Sequence, residues 1–365
     1  MFFHSYIENP VSLLKIFTVF GLIIVLCGAG TNTINAQTNR STYLDFTGDG
    51  KTDWAVYTSP QAFDQPFKLK ILGNQTGSAP SAPLIRIFDF GLSSDIIFFG
   101  DYVGDRKTDL VAWRRSQPNI FYVAQFPING GDWTLDRAVQ WGAQTDGAVQ
   151  GDYDGDGKMD YTAVRYSNNV LTWFILSSST NAMRAVNFGN ATLGHFTISG
   201  ADFTGDGRDE LIVAADVNGT MTYYVGDSVS GAWLFTRQWG FSNSGGFSNS
   251  DIDHSLPPAD YTGDGKADFV AVRLTGSNLV WYILDPTTNA STTTLWGIGR
   301  EREPRTPDIP VRGDYDGDGR QDIGVYRQSN QTFYVLKSSN GSLIVQPWGE
   351  ARDRPLNVPI FAVIA

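Results

Sequence analysis

Asp152-Tyr153-Asp154-Gly155-Asp156-Gly157-Lys158-Met159-Asp160 and Asp314-Tyr315-Asp316-Gly317-Asp318-Gly319-Arg320-Gln321-Asp322 are two copies of one nine-residue pattern. The pattern begins again at Asp45, Asp101, Asp202 and Asp260, with 50 to 58 residues between successive starts. After each copy the chain runs through the same succession. First comes an apolar segment (Tyr161-Thr162-Ala163-Val164, Phe269-Val270-Ala271-Val272), then a polar turn such as Ser167-Asn168-Asn169. Next comes an aromatic segment (Trp173-Phe174-Ile175, Trp281-Tyr282-Ile283) and then a segment ending in an aromatic–Gly pair. The six pairs are Phe90-Gly91, Trp141-Gly142, Phe188-Gly189, Trp239-Gly240, Trp296-Gly297 and Trp348-Gly349. A last short segment, such as Ile309-Pro310-Val311-Arg312, leads into the next copy.

Four short strands per roughly fifty residues, with no helical period beyond the N-terminal segment, is the arithmetic of a propeller blade. The expected fold is all-β: a β-propeller of six four-stranded blades, with seven as the alternative if one repeat is degenerate. Two β-sandwiches are the main rival, but sandwiches do not repeat their sequence at this period. Residues 355–365 resemble the segment before each loop, yet no loop follows them, and the first repeat has only 41–44 ahead of its own loop. The C-terminal strand is therefore expected to pair into the first blade and close the ring, which would remove exposed sheet edges.

The composition agrees. Charged residues make up 18% and aromatics 13%, and there are 39 Gly, which suits tight turns between strands and not a disordered chain. The net charge of −11 argues against nucleic acid as a partner. More than half of the 38 acidic residues fall inside the six loops. Carboxylates crowded in this way repel one another unless a cation sits between them.

Lys15 precedes an apolar run over 16–26, followed by small and polar residues up to Ile34-Asn35-Ala36. Residues 1–36 therefore read as an export signal cleaved after Ala36, too short in its apolar part to span a membrane comfortably. A short linker, 37–41, and a single propeller domain, 42–365, would follow. The one cysteine, Cys27, lies in the signal, and Leu26 before it is not the small residue a lipid anchor wants. The expected product is secreted, extracellular or periplasmic, without disulfides or a membrane span, and in need of another staple.

Calcium takes six to eight oxygen ligands in a flexible cage. A nine-residue loop can offer side chains at positions one, three, five and nine and the carbonyl of position seven, while Gly at four and six lets the backbone curl. Loop three offers Asp152, Asp154, Asp156, Asp160 and the Lys158 carbonyl; loop six offers Asp314, Asp316, Asp318, Asp322 and the Arg320 carbonyl. Loop one has Asp45, Thr47, Asp49, Asp53 and Lys51, and loop five has Asp260, Thr262, Asp264, Asp268 and Lys266, with a neutral Thr oxygen at position three. Loop four has Asp202, Thr204, Asp206, Arg208 and Glu210, the longer Glu being able to reach in bidentate fashion. Loop two keeps Asp101, Asp105 and Asp109, but Val103 cannot ligate and Arg106 replaces the turn Gly, so weak or no binding is expected there. An EF-hand would need an acidic twelfth position and flanking helices; the twelfth residues here are Ala163 and Val325. Magnesium wants a stricter octahedron, and zinc would find only His195 and His254 in the exported chain. Plain Asp-Gly turns do not need four carboxylates at alternate positions.

These loops, with the aromatic–Gly pairs, resemble the FG-GAP (VCBS) repeats of integrin α-chain propellers and of many secreted bacterial proteins. The resemblance covers residues 42–365. It implies a propeller holding calcium in hairpin loops between the first two strands of each blade, with the residues named above as ligands. It does not specify an activity.

No catalytic set stands out. A Ser-His-Asp triad would have to use His195 or His254, and neither has a recognisable setting. Arg114, Arg165, Arg273 and Arg327 recur five residues after the ninth loop position. They read as packing and pairing residues, although beside an ion they could serve a calcium-dependent polysaccharide lyase. The preferred expectation is a non-enzymatic, monomeric adhesion or ligand-binding module for an extracellular protein or glycan. The inserts at 241–255 and 300–305 interrupt the repeat just after aromatic–Gly pairs and are its candidate recognition segments.

Overall fold

Each repeat folds as a twisted antiparallel sheet because its apolar segments are short, rich in β-branched and aromatic residues, and punctuated by Gly, Asn and Asp turns. A computed structural model describes residues 42–60, 62, 64–74, 85–125, 133–242, 254–299 and 307–356. All belong to one unit spanning residues 39–365. The expected export signal and linker, both inserts over most of their length and the expected closing segment beyond residue 356 lie outside the described residues.

The first blade holds β1 (Trp54–Thr58), β2 (Phe67–Leu72) and β3 (Ile85–Phe90). The second is β4 (Ile96–Gly100), β5 (Asp109–Arg114), β6 (Ile120–Gln125) and β7 (Thr134–Gln140). The third is β8 (Gly147–Val149), β9 (Tyr161–Ser167), β10 (Val170–Leu176) and β11 (Met183–Asn190). The fourth is β12 (Phe196–Ala201), β13 (Glu210–Val217), β14 (Thr220–Gly226) and β15 (Trp233–Phe241). The fifth is β16 (His254–Ser255), β17 (Phe269–Thr275), β18 (Asn278–Leu284) and β19 (Ser291–Ile298). The sixth is β20 (Ile309–Gly313), β21 (Asp322–Arg327), β22 (Thr332–Leu336) and β23 (Leu343–Pro347). Within each blade, strands adjacent in sequence pair antiparallel, giving six four-stranded sheets among the described residues. The fold is an all-β, six-bladed propeller.

The first blade obtains its inner strand from the other end of the chain. β24 (Arg354–Pro355) pairs with β1 in the register Val56↔Pro355, and the Leu356 N–H donates to the Ala55 carbonyl at 2.9 Å. Packing joins the same two blades: Trp54 and Val56 share a cluster with Val311, Tyr315, Tyr326 and Phe333. Five similar clusters link blades one to two, two to three, three to four, four to five and five to six. The second strands are buried almost throughout (β5, β13), whereas outer strands such as β3 and β7 expose alternate or most residues. The apolar core therefore lies between blades, not in one centre.

The aromatic–Gly pairs stitch each outer strand to the next blade. The indole N–H groups of Trp141, Trp239, Trp296 and Trp348 donate to the carbonyls of Phe174, Tyr282, Tyr334 and Lys70, at 3.0, 3.2, 3.1 and 3.3 Å. These acceptors occupy equivalent places on the third strands. Phe90 and Phe188 have no N–H to give and contribute packing alone.

Candidate cation-binding loops

Five Asp loops join the first and second strands of a blade and loop one leads directly into β1, so the six loops emerge at one end of the ring. Position four is left-handed in all six, with φ from 77° at Gly48 and Gly205 to 90° at Gly104. Position six is left-handed as well, and in loop two a non-glycine, Arg106, holds it at φ 65°. This curl aims backbone N–H groups at the first Asp. The Asp152 carboxylate accepts from Gly155 at 2.8 Å and Gly157 at 3.0 Å, and Asp314 accepts from Gly317 at 2.6 Å and Gly319 at 2.8 Å. The ninth residue accepts from the N–H of position two, as in Asp160 from Tyr153 at 3.0 Å and Asp322 from Tyr315 at 2.7 Å. The turn between the third and fourth strands reaches the same carboxylate: Asn74, Ser178 and Ser338 N–H groups donate to Asp53, Asp160 and Asp322 at 2.6, 3.1 and 2.6 Å.

Among the described residues, three loops bring three acidic side chains within 4.8 Å of one another. They are Asp152, Asp154 and Asp160 in loop three; Asp202, Asp206 and Glu210 in loop four; and Asp314, Asp316 and Asp322 in loop six. Asp156 and Asp318 are not in these groups. Asp318 instead meets Arg320, at 3.1 and 2.8 Å, and the Ser338 hydroxyl at 2.9 Å. Asp206 is likewise paired with Arg208. In loop one the Thr47 hydroxyl lies between Asp45 and Asp53, at 3.3 and 3.5 Å, where a ligand was expected. The Thr262 and Thr204 hydroxyls hold the same place in loops five and four, Thr204 donating to Glu210 at 3.2 Å. In loop two Val103 and the exposed Arg106 offer no oxygen side chain, and Asp101, Asp105 and Asp109 form no such triplet.

The ninth position is where charge is least comfortable. Burial pushes Asp53, Asp109, Asp160 and Asp268 up to about 7, Glu210 to about 8 and Asp322 to about 6, with neighbouring carboxylates adding to the shift. Burial works the same way on Asp206 and Asp318, but Arg208 and Arg320 outweigh it and hold both below the usual carboxylate range. Asp316 Oδ1 and the fully buried Asp268 Oδ1 accept no hydrogen bond of ordinary geometry. Buried carboxylates, converging and incompletely partnered, fit a hard divalent cation. Loops three, four and six have the fullest donor sets.

The loops also touch one another. The position-eight N–H of each loop donates to the carbonyl of the first Asp in the loop before it. The six bonds run from Thr108 to Asp45, Met159 to Asp101, Asp209 to Asp152, Ala267 to Asp202, Gln321 to Asp260 and Thr52 to Asp314, all at 2.7–2.8 Å. The chain of bonds closes on itself. The position-seven base adds a second ring. Its aliphatic stem lies on the position-four Gly of the preceding loop: Lys51 on Gly317, Lys107 on Gly48, Lys158 on Gly104, Arg208 on Gly155, Lys266 on Gly205 and Arg320 on Gly263. A β-carbon at Gly155 would stand 2.6 Å from Arg208 Cγ, so glycine is required there by contact as well as by φ. Sequence reading gave position seven only a carbonyl role; its signal was a Lys or Arg in all six copies.

At the other end of the ring, the recurrent arginines are tied down. Arg114, Arg165 and Arg327 form two-pronged pairs with Asp95, Asp146 and Asp308, at 2.7–2.9 Å. Each guanidinium also stacks on an aromatic ring, of Tyr122, Phe174 and Tyr334 respectively. The same Asp accepts the N–H that follows the aromatic–Gly pair, from Leu92, Ala143 and Ile298 at 2.8 Å. In blade one, Lys70 and Thr58 serve Asp353. Blade four departs from the pattern. Ala215 stands in the Arg position, and His195 replaces the Asp: its Nδ1 accepts the Asn190 N–H at 3.0 Å and its ring lies on Tyr224. Burial lowers the pKa of His195, in keeping with a neutral acceptor. His254, expected in an insert, pairs instead with Val272 on the inner strand β16. The Asp partners were legible as the fourth residue after Gly91, Gly142 and Gly349.

Residues 152–213, 202–271 and 260–325 match the model of the FG-GAP-like repeat. This chain carries FG-GAP-like repeats. Each matched stretch runs from one Asp loop to beyond the next, so the family signal and the loops coincide. No curated protein matches the sequence. Among solved structures, the FG-GAP-like chain is similar to a Bacteroides uniformis protein proposed to be a 6-phosphogluconolactonase, at 13% identity over 84% of this chain and 83% of that one, TM-score 0.40. A rhamnogalacturonan lyase of Bacillus licheniformis matches at 13% identity over 86% and 70%, TM-score 0.35. An auxiliary nutrient binding protein of Bacteroides thetaiotaomicron matches at 11% over 82% and 76%, TM-score 0.33. Among the described residues, no helix is long and apolar enough to cross a membrane.

Proposed function

We propose that this FG-GAP-like propeller is a secreted, calcium-stabilised, non-enzymatic module that binds an extracellular protein or glycan. The observation that carries the calcium reading is the convergence of three acidic side chains in loops three, four and six around buried ninth positions that lack a counter-charge. A bound calcium ion supplies positive charge and flexible oxygen coordination. Position one presents a carboxylate pre-oriented by two backbone N–H groups, and position nine locks the loop to the following turn. The export-signal reading of residues 1–36 supports secretion, where calcium is plentiful and a cysteine-free chain needs another staple.

Binding is favoured over catalysis because three of the four arginines that a lyase could use as bases are engaged. Arg114, Arg165 and Arg327 are each held by a buried Asp and stacked on a ring. The two inserts fall, in sequence, between β15 and β16 and between β19 and β20, strands whose facing ends at Phe241 and His254 and at Ile298 and Ile309 lie opposite the Asp loops. That end is the proposed recognition face. A glycan array probed in calcium and in chelator, run beside an assay for unsaturated lyase products, tests the reading. Retention of defined glycans or matrix proteins without product formation is the expected result. Release of product would overturn it.

A further inference from the structure

We propose that the loops able to hold cation fill as coupled members of one ring of six loops, and that the position-seven base of each loop is the link to the loop before it. The inference rests on the calcium reading above and adds to it how the sites communicate.

Two features argue against independent sites. The first Asp of each loop has a double engagement. Its carboxylate belongs to its own candidate site, while its carbonyl accepts the position-eight N–H of the next loop. An ion that orders the first Asp therefore orders an acceptor that the neighbouring loop uses at its position eight, adjacent to that neighbour's buried ninth residue. A segment already ordered by one ligand costs less to order for the next, which gives positive coupling without any large movement. All six bonds are present, so the path has no break, even at loop two, where the ligand set is poorest.

The second feature is the position-seven side chain. Its stem covers the turn glycine of the preceding loop, and in loops two, four and six its head meets the position-five Asp of its own loop. In loops four and six that head is an Arg forked onto Asp206 or Asp318. In loop six, where Asp318 lies outside the acidic group, a cation drawing it inward has to take it from Arg320. Releasing that Arg alters what packs on Gly263, in loop five. The base thus senses its own loop and touches its neighbour's turn, which is what a link requires and a lone carbonyl ligand does not.

Hydrogen exchange read by mass spectrometry on the full chain, with calcium and with chelator, separates the outcomes. Asp322→Asn removes the ninth carboxylate of loop six. The ring predicts that calcium protection falls in loops five and one as well as in loop six, with exchange there about fivefold faster or more, the lower end of usual allosteric coupling. Loss confined to loop six would overturn the coupling while leaving calcium binding intact. Absence of calcium protection in every loop of the unaltered chain would instead remove the calcium reading itself. Lys51→Ala leaves every loop-six carboxylate in place and provides a second route if Asp322→Asn does not fold. It should weaken calcium protection of loop six about fivefold although Lys51 belongs to loop one. Unchanged protection would overturn the linking role.

Discussion

The ninth loop position shows how far burial alone can move a carboxyl group. Asp160 and Asp322 are fully buried, and their neighbours are also acidic. Their folded pKa values, about 7 and about 6, lie above the unfolded value near 4. A raised folded value means that, without cation, the stability from these groups is fully present below about pH 4 and is lost as pH rises through about 6 to 7. Melting temperature in chelator should therefore fall between about pH 4 and pH 7, and the gain from added calcium should grow over the same window. A chelated protein whose melting is flat across it would contradict this account of the charges. Arg106 offers a test that involves no metal. It is exposed and holds a left-handed φ that glycine adopts freely. Arg106→Gly should raise stability by about 1 kcal/mol in a chemical unfolding titration, with or without calcium.

At the scale of the strand and its linker, the Arg–Asp fork or the indole stitch joins most blades to a neighbour, while blades three and four are joined by neither. Asp146 is inaccessible, and Arg165 is its charge partner. Arg165→Met should cost about 2–3 kcal/mol, because a buried carboxylate loses that partner, and Asp146→Asn in the same chain should recover part of the loss. A double-mutant cycle measured by urea unfolding checks this, and strict additivity would argue against the pair. Trp141→Phe keeps the packing but removes the N–H to Phe174, and should cost about 1 kcal/mol. Phe90 and Phe188 already occupy that place in other blades, so the change is sterically familiar.

For the molecule as a whole, the six-bladed fold was legible because each blade repeats its Asp loop, aromatic strand and aromatic–Gly pair at one period. The strand order follows from that repetition. The candidate site was legible only in part. Residue type identified Asp152, Asp154 and Asp160, but could not show that Asp156 stays outside their group, or that Arg208 and Arg320 claim Asp206 and Asp318. Those outcomes depend on side-chain direction, which spacing does not encode. The ring of inter-loop bonds joins residues far apart in sequence, from Asp209–Asp152 to Thr52–Asp314 at opposite ends of the domain, and its sole trace in sequence is a base at position seven. The calcium content of chelator-stripped full-length protein, titrated by calorimetry near neutral pH, tests the central claim most directly. The expected stoichiometry is at least three ions per chain, one for each of loops three, four and six, reduced in Asp160→Asn. A chain that takes up none in millimolar calcium would contradict it.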